Sequence, residues 1–224
     1  MVVNGFWIGD KLDYLSSYCI KSWVKQGYEF HLWTYNKLKN ANCILRDANE
    51  ILEREDYFTY DGGHSKGTPV AFSNLFRAHL LYKLGGLYTD LDVYCLKKYD
   101  FKRNFTFSKQ KHNKYRYSVG THVIYSRYSK QNIFDNWINK INELRADNIR
   151  HGDLGPDLLT SLINKNILNN YVVDEEIFSP VGFYELNKFN SINYSNSYGV
   201  HLYGSQGSFN DINSIVDLDI IFNG

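Results

Sequence analysis

Residues 68–94 constrain the fold more tightly than any other stretch. Thr68 can cap a helix whose first position is Pro69, where a missing N–H costs nothing. A helical run follows from Val70 to Leu84, and Gly85-Gly86 supplies a left-handed end. Leu87-Tyr88-Thr89-Asp90-Leu91-Asp92-Val93-Tyr94 then has a strongly β-forming composition. At about 100° per residue the helix is apolar around most of its circumference, which predicts burial. Ser73, Asn74 and Arg77 fall in one narrow polar wedge. A buried arginine needs an anion, and both a protein carboxylate and the oxygens of a ligand remain open.

Asp90 and Asp92 stand at i and i+2, so a regular strand would set two like charges on one face. A divalent cation beside them relieves that repulsion. Few, hard oxygen ligands suit Mg²⁺ or Mn²⁺ better than zinc. In parallel α/β sheets ligands bind outside the carboxyl ends of strands, where this pair sits if its strand ends there. The C-terminal Val216-Asp217-Leu218-Asp219-Ile220 repeats the triplet without the helix, the turn or the arginine, and reads as structural.

The rest of the chain supplies the sheet. Val2 to Gly9 reads as a buried strand, Leu12 to Val24 as a helix stopped by Gly27, and Tyr28 to Trp33 as a second strand. Ala41 to Glu55 reads as a helix, and Asp61 to Gly67 as a loop without the Gly-Lys-Ser/Thr order of a phosphate loop. The alternation predicts an α/β fold with a largely parallel sheet. No linker divides the 224 residues, so 1–224 read as one domain, with 207–224 an extension of uncertain role.

Composition narrows the partners. With 25 basic and 24 acidic residues, no overall field points to nucleic acid or to an anionic membrane. Cys19, Cys43 and Cys95 are scattered, which argues against a disulfide scaffold or cysteine zinc site and fits a reducing compartment. Without an 18-residue apolar run or a signal-peptide pattern, a soluble, cytoplasmic protein is expected. Lys102, Arg103, Lys109, Lys111, Lys114 and Arg116 make a basic stretch that suits a solvated loop or hairpin. Contact with nucleic acid, an anionic acceptor or a membrane surface is the alternative there. Aromatic residues make up 17% of the chain, and most suit core packing. The sequence leaves the oligomeric state unknown.

Ser73-Asn74-Leu75-Phe76-Arg77 followed by Gly85-Gly86-Leu87-Tyr88-Thr89-Asp90-Leu91-Asp92-Val93 resembles the DXD-containing sugar-transferase family. That family includes yeast-type initiating mannosyltransferases, capsular and lipooligosaccharide transferases, and the glucosyltransferase domains of large clostridial toxins. Phe6-Trp7-Ile8-Gly9, Ser22-Trp23, Tyr28-Glu29, Leu32-Trp33, Gly155-Pro156 with Leu158-Leu159-Thr160, and His201 with Gly204-Ser205 are similar to its other blocks. The likeness runs from about residue 2 to residue 206. It implies a single GT-A (Rossmann-like) domain with a mostly parallel central sheet and the DXD motif at a strand end. It also implies a nucleotide-sugar donor such as a UDP-hexose, Mn²⁺ or Mg²⁺, a carbohydrate hydroxyl as acceptor, as in polysaccharide biosynthesis, and retention of configuration. Under it Trp7 would stack on the nucleobase, Arg77 and Asn74 would face the donor sugar, and Tyr88 the nucleotide. Asp92 would bind the metal, Asp90 the ribose or the metal, and His201 the metal or the diphosphate. Asn74 stands where the family usually has Asp, and Gln206 where it usually has Trp.

Two other readings are carried. Paired carboxylates on a sheet edge also serve two-metal nucleotidyl- or phosphoryl-transfer, although no third acid or phosphate-cradling glycine loop is visible. A non-catalytic, cation-dependent sugar-binding module is the other.

Overall fold

The computed structural model describes residues 1–39, 41–63, 65–111, 116–145, 149–204, 209, 218 and 221–222. The opening apolar run is β1 (Val2–Trp7), followed by α1 (Tyr14–Lys25), which Asp13 caps by accepting the Ser16 N–H at 2.6 Å. After β2 (Glu29–Thr34) the sequence expectation fails. Ala41 to Glu55 is not a helix but a short strand, β3 (Ile44–Asp47), and two 3₁₀ turns at Ala48–Glu50 and Arg54–Asp56. The Asp47 carboxylate accepts the Asn49 N–H and starts the first turn. Ile44 and Leu45 are exposed on the outermost strand, so their spacing marks a sheet edge, not the buried face of a helix.

The next helix, α2 (Val70–Leu84), begins one residue later than expected. Pro69 is its cap, and the Thr68 hydroxyl donates to the Ser65 carbonyl instead. At its end Gly85 and Gly86 take φ of +65° and +79°. A Cβ on Gly85 would lie 2.8 Å from the Tyr128 carbonyl carbon, so the position excludes side chains twice over.

The expected strand 87–94 is broken at the acidic pair. β4 (Gly86–Thr89) stops, residues 90–92 turn, and β5 (Val93–Cys95) leaves the main sheet to pair with β9 (Gly199–His201). Helix α1 holds this departure in place. The Cys95 N–H donates to Ser22 Oγ at 2.8 Å, and the Trp23 indole N–H to the Val93 carbonyl at 2.9 Å. Local sequence gives no sign of the break, because its partners come from another helix and from the far end of the chain.

The remaining strands and α-helices are β6 (Phe105–Lys111), β7 (Tyr117–Ser126), α3 (Asn132–Leu144), α4 (Pro156–Lys165), β8 (Val172–Val173) and α5 (Glu175–Phe178). Among the described residues the main sheet has seven strands in the order β3-β2-β1-β4-β7-β6-β8. β3, β2, β1 and β4 are mutually parallel, β7 is antiparallel to both its neighbours, and β8 pairs parallel with β6. Alternate side chains feed two cores. Phe6, Trp33 and Tyr88 join Phe72, Phe76 and Trp137 of α2 and α3 on one face. Val3, Phe30, Leu32 and Leu87 join Ile20 and Trp23 of α1 on the other. A third cluster around Leu15, Tyr94 and Val200 is covered by Phe209, Leu218, Ile221 and Phe222, which gives the C-terminal extension a packing role. Asp217 and Asp219, the second acidic triplet, lie outside the described residues, as do Ser205, Gln206 and Lys114.

Candidate active site

Helix α2 carries the polar wedge into the interior. Asn74 is 4% and Arg77 3% exposed. The Arg77 guanidinium donates to Asn74 Oδ1 at 2.6 Å and pairs with the Asp90 carboxylate, while it lies 4.7 Å from the centre of the Tyr88 ring. The anion that a buried arginine needs is therefore a protein carboxylate. Burial lowers the guanidinium's proton affinity, and the Asp90 charge more than offsets that.

Asn74 is fully engaged within the protein. Its amide donates to the Val70 carbonyl at 3.0 Å and to the Tyr60 hydroxyl at 3.4 Å, while its oxygen receives Arg77. Gly155 packs against it, since a Cβ there would come within 3.1 Å of Asn74 Oδ1. In this arrangement Asn74 orients Arg77. Asn74→Ala is expected to leave a buried guanidinium N–H unmet and to lower stability by about 1–3 kcal/mol, read from urea unfolding midpoints. A loss below a few tenths of a kcal/mol would remove that role.

The acidic pair stands at the end of β4, at the carboxyl edge of the parallel strands, with Asp90 N–H donated to the His122 carbonyl at 2.8 Å. Both carboxylates keep about a quarter of their surface open, 24% and 23%. Residues 201–204 wrap Asp92: Leu202 N–H donates to its carbonyl at 2.8 Å, and Gly204 N–H to its Oδ2 at 2.9 Å. Its Oδ1 lies 3.4 Å from His201 Nε2. One ligand atom from each of Asp90, Asp92 and His201 falls within 4.8 Å of the others. The two carboxylates suit Mn²⁺ or Mg²⁺, and the imidazole favours Mn²⁺ of the two, so the residues fit such an ion. The two acids also differ in proton affinity. Burial raises that of Asp90, and Arg77 does not fully offset it beside the Asp92 charge. Burial acts on Asp92 too, but the His201 charge and the bonds it receives pull it below the ordinary carboxylate value.

The sequence readings named His201 but missed the rings beside it. His122, in the middle of β7, stacks on His201 with centroids 4.4 Å apart, and Tyr203 lies over His201 at 3.9 Å. Burial, then the charges of His201 and Arg77, hold His122 neutral. Tyr203 has φ of +51°, a left-handed backbone that costs a non-glycine residue about 1–2 kcal/mol. Its hydroxyl meets Ser179 Oγ at 2.9 Å. A polar residue inside the buried run Val119 to Tyr125 was the available signal for His122.

Tyr88 is 2% exposed, with its ring in the core beneath Arg77. Trp7 ends β1 at the same carboxyl edge, half-buried and packed against the core cluster that holds Leu91, the residue between the two aspartates. Its indole N–H is buried without a hydrogen-bond partner among the described residues. The block at Gly155 to Thr160 has a structural use: Thr160 Oγ1 accepts the Val119 N–H at 2.9 Å and anchors α4 on β7. A cavity of about 500 Å³ bordered by Asn4, Trp33, Arg46, Lys83 and Arg127 opens at the opposite, amino-terminal ends of β1 and β4, away from the acidic pair.

Residues 14–110 match the family model described as glycosyltransferase sugar-binding region containing DXD motif. The matched span holds the complete helix, the glycine turn and the acidic pair. Among solved structures, the PaToxG glycosyltransferase superposes with a TM-score of 0.53 at 12% identity, over 75% of this chain and 69% of that one. An active-site mutant of LgtC gives 0.47 at 12% identity, over 91% and 88%. The apo-form glycosyltransferase GlyE of Streptococcus pneumoniae TIGR4 gives 0.42 at 13%, over 78% and 45%. No curated protein sequence matches significantly. The fold is GT-A, an α/β architecture with a mostly parallel central sheet.

The described members of the basic stretch, all but Lys114, have partners within the protein. Lys109 pairs with Glu175 and Asp174, Lys111 with Glu175, Lys102 with Asp100 and Arg116 with Asp157. Arg103 donates to the Asn170 carbonyl at 2.6 Å. No described helix is long and apolar enough to cross a membrane.

Proposed function

We propose that the chain is a single-domain, metal-dependent glycosyltransferase that moves a hexose from a UDP-sugar to a hydroxyl of a glycan acceptor, with retention of configuration. The observation that carries this reading is the Asp90–Asp92–His201 cluster at the end of β4, whose two carboxylates lie inside the span that matches the DXD family and whose histidine comes from β9. Asp92 and His201, with Asp90, would hold Mn²⁺ or Mg²⁺. A bound divalent ion supplies Lewis-acid stabilisation of the diphosphate charge that develops as the sugar leaves. Arg77 sets the rotamer of Asp90 from below, and Asn74 sets Arg77. The Gly204 amide keeps one Asp92 oxygen occupied, so the other is presented to the cluster. Trp7, at the same edge, offers an apolar face and an unmet N–H for the base, and Tyr88 supports the nucleotide side through Arg77.

In the transfer, the bond from the sugar C1 to the diphosphate oxygen breaks and a bond from C1 to the acceptor oxygen forms on the same face. The acceptor proton passes to the departing phosphate oxygen. The unpaired thiols of Cys19, Cys43 and Cys95 suit a cytoplasmic setting, where glycan polymers are assembled from nucleotide sugars.

A thermal-shift panel of UDP, GDP and CMP with and without Mn²⁺ tests the reading. UDP with Mn²⁺ is expected to raise the melting temperature, and Mn²⁺-dependent hydrolysis of UDP-glucose or UDP-galactose should follow by mass spectrometry. Stabilisation by Mn²⁺ alone, indifferent to nucleotide and without donor turnover, would replace the enzyme with a cation-dependent binding module.

A further inference from the structure

His122 has an environment that the reaction outlined above does not explain. It is 1% exposed, and neither ring nitrogen has a hydrogen-bond partner among the described residues. Buried polar groups are ordinarily satisfied, so an unmet imidazole in the middle of a strand calls for a reason. Its ring faces supply one. The ring lies nearly flat on His201, with an interplanar angle of 16° at 4.4 Å, and Tyr203 covers His201 at 3.9 Å and 32°. Two rings this close to a third avoid each other only on its opposite faces. His201 is thus held between two flat groups.

The backbone is cut to admit this. Gly120 lies two residues before His122, on the same face of β7. A Cβ at Gly120 would sit 2.3 Å from His122 Nδ1 and 2.4 Å from its Cε1. Only glycine leaves room for the imidazole to fold back along the strand. A histidine that ligates a metal usually has its orientation fixed through its second nitrogen, which donates to a carboxylate, a carbonyl or a water. His201 Nδ1 is buried without any such partner among the described residues. Among the described residues it is the ring stack that can fix the plane of His201.

We propose that His122, seated over Gly120, is a positioning residue: by stacking it fixes the plane of His201, so that Nε2 stays aimed at the ion shared with Asp92 and Asp90. The proposal rests on the divalent-cation reading above. It assigns the work to a flat face and not to the nitrogens of His122, and that distinction can be measured.

Mn²⁺ is titrated by electron paramagnetic resonance in the presence of UDP, with thermal melting as a check of folding. His122→Phe keeps a flat ring without nitrogens, and is expected to bind Mn²⁺ about as tightly as the wild type. His122→Leu fills similar volume without a flat face and is expected to bind about 10-fold more weakly or worse, the usual effect of losing an outer support of a ligand. Gly120→Ala, which changes no other residue but pushes the His122 ring off its seat, should show the same loss and keeps the comparison open if the leucine variant fails to fold. Wild-type affinity in both His122→Leu and Gly120→Ala would overturn the proposal, as would a loss in His122→Phe equal to that in His122→Leu. A wild-type chain that binds no Mn²⁺ with UDP present would instead overturn the cation reading beneath it.

Discussion

Asp92→Asn is expected to lower sugar transfer by at least about 100- to 1,000-fold, with little effect on folding. The substitution keeps the side-chain shape, and its amide oxygen can still accept the Gly204 N–H that now reaches Oδ2 at 2.9 Å. The backbone bond from Leu202 to residue 92 does not involve the side chain at all. What is lost is the charge facing His201, and with it one of the two carboxylates of the cluster. Asn at position 90 is a weaker test, because Asp90 is shared with Arg77 and its removal disturbs the interior as well. The measurement is donor turnover by mass spectrometry beside an Mn²⁺ titration. If Asp92→Asn turned over at the wild-type rate with the same metal dependence, the cluster would not be the site of the chemistry.

How much of this could be read from the sequence depends on where each interaction's partners lie. The helix, the glycine turn and β4 were legible because their signals are local: apolar spacing along Val70 to Leu84, and two glycines where only positive φ fits. Arg77 was legible as a buried charge, but its anion was not, because the turn that brings Asp90 back over α2 is set by tertiary contacts. The strand was read through to Tyr94 because nothing in Leu87 to Tyr94 discourages it. The break comes from Ser22 and Trp23 on α1, which capture β5, and from β9, which pairs with it. Ala41 to Glu55 failed for another reason. On an edge strand, the exposed Ile44 and Leu45 give the same apolar marks as one face of a helix. His122 was passed over because its meaning lies in two rings that arrive from β9 and the residue pair after it.

The interior arginine carries the second large expectation. Arg77→Met fills much of the same space and removes the charge, leaving Asp90 without its cation and Asn74 Oδ1 without a donor. Breaking one partner of a buried pair costs about 3–5 kcal/mol. The Asp90 side chain is 24% exposed, so water recovers part of that, and the loss should fall near the lower end of the range. Urea unfolding of Arg77→Met, Asp90→Asn and the double variant forms a cycle that isolates the pair. If the double variant recovers much of the stability of Arg77→Met, the charge left behind is the cause; a loss below about 1 kcal/mol in Arg77→Met would mean the pair is not desolvated. The cycle also separates folding from binding. A double variant that folds well yet no longer gains stability from UDP with Mn²⁺ would place the arginine–aspartate pair in the ligand site itself. One that still gains that stability would make the pair a support beneath a site carried by Asp92 and His201.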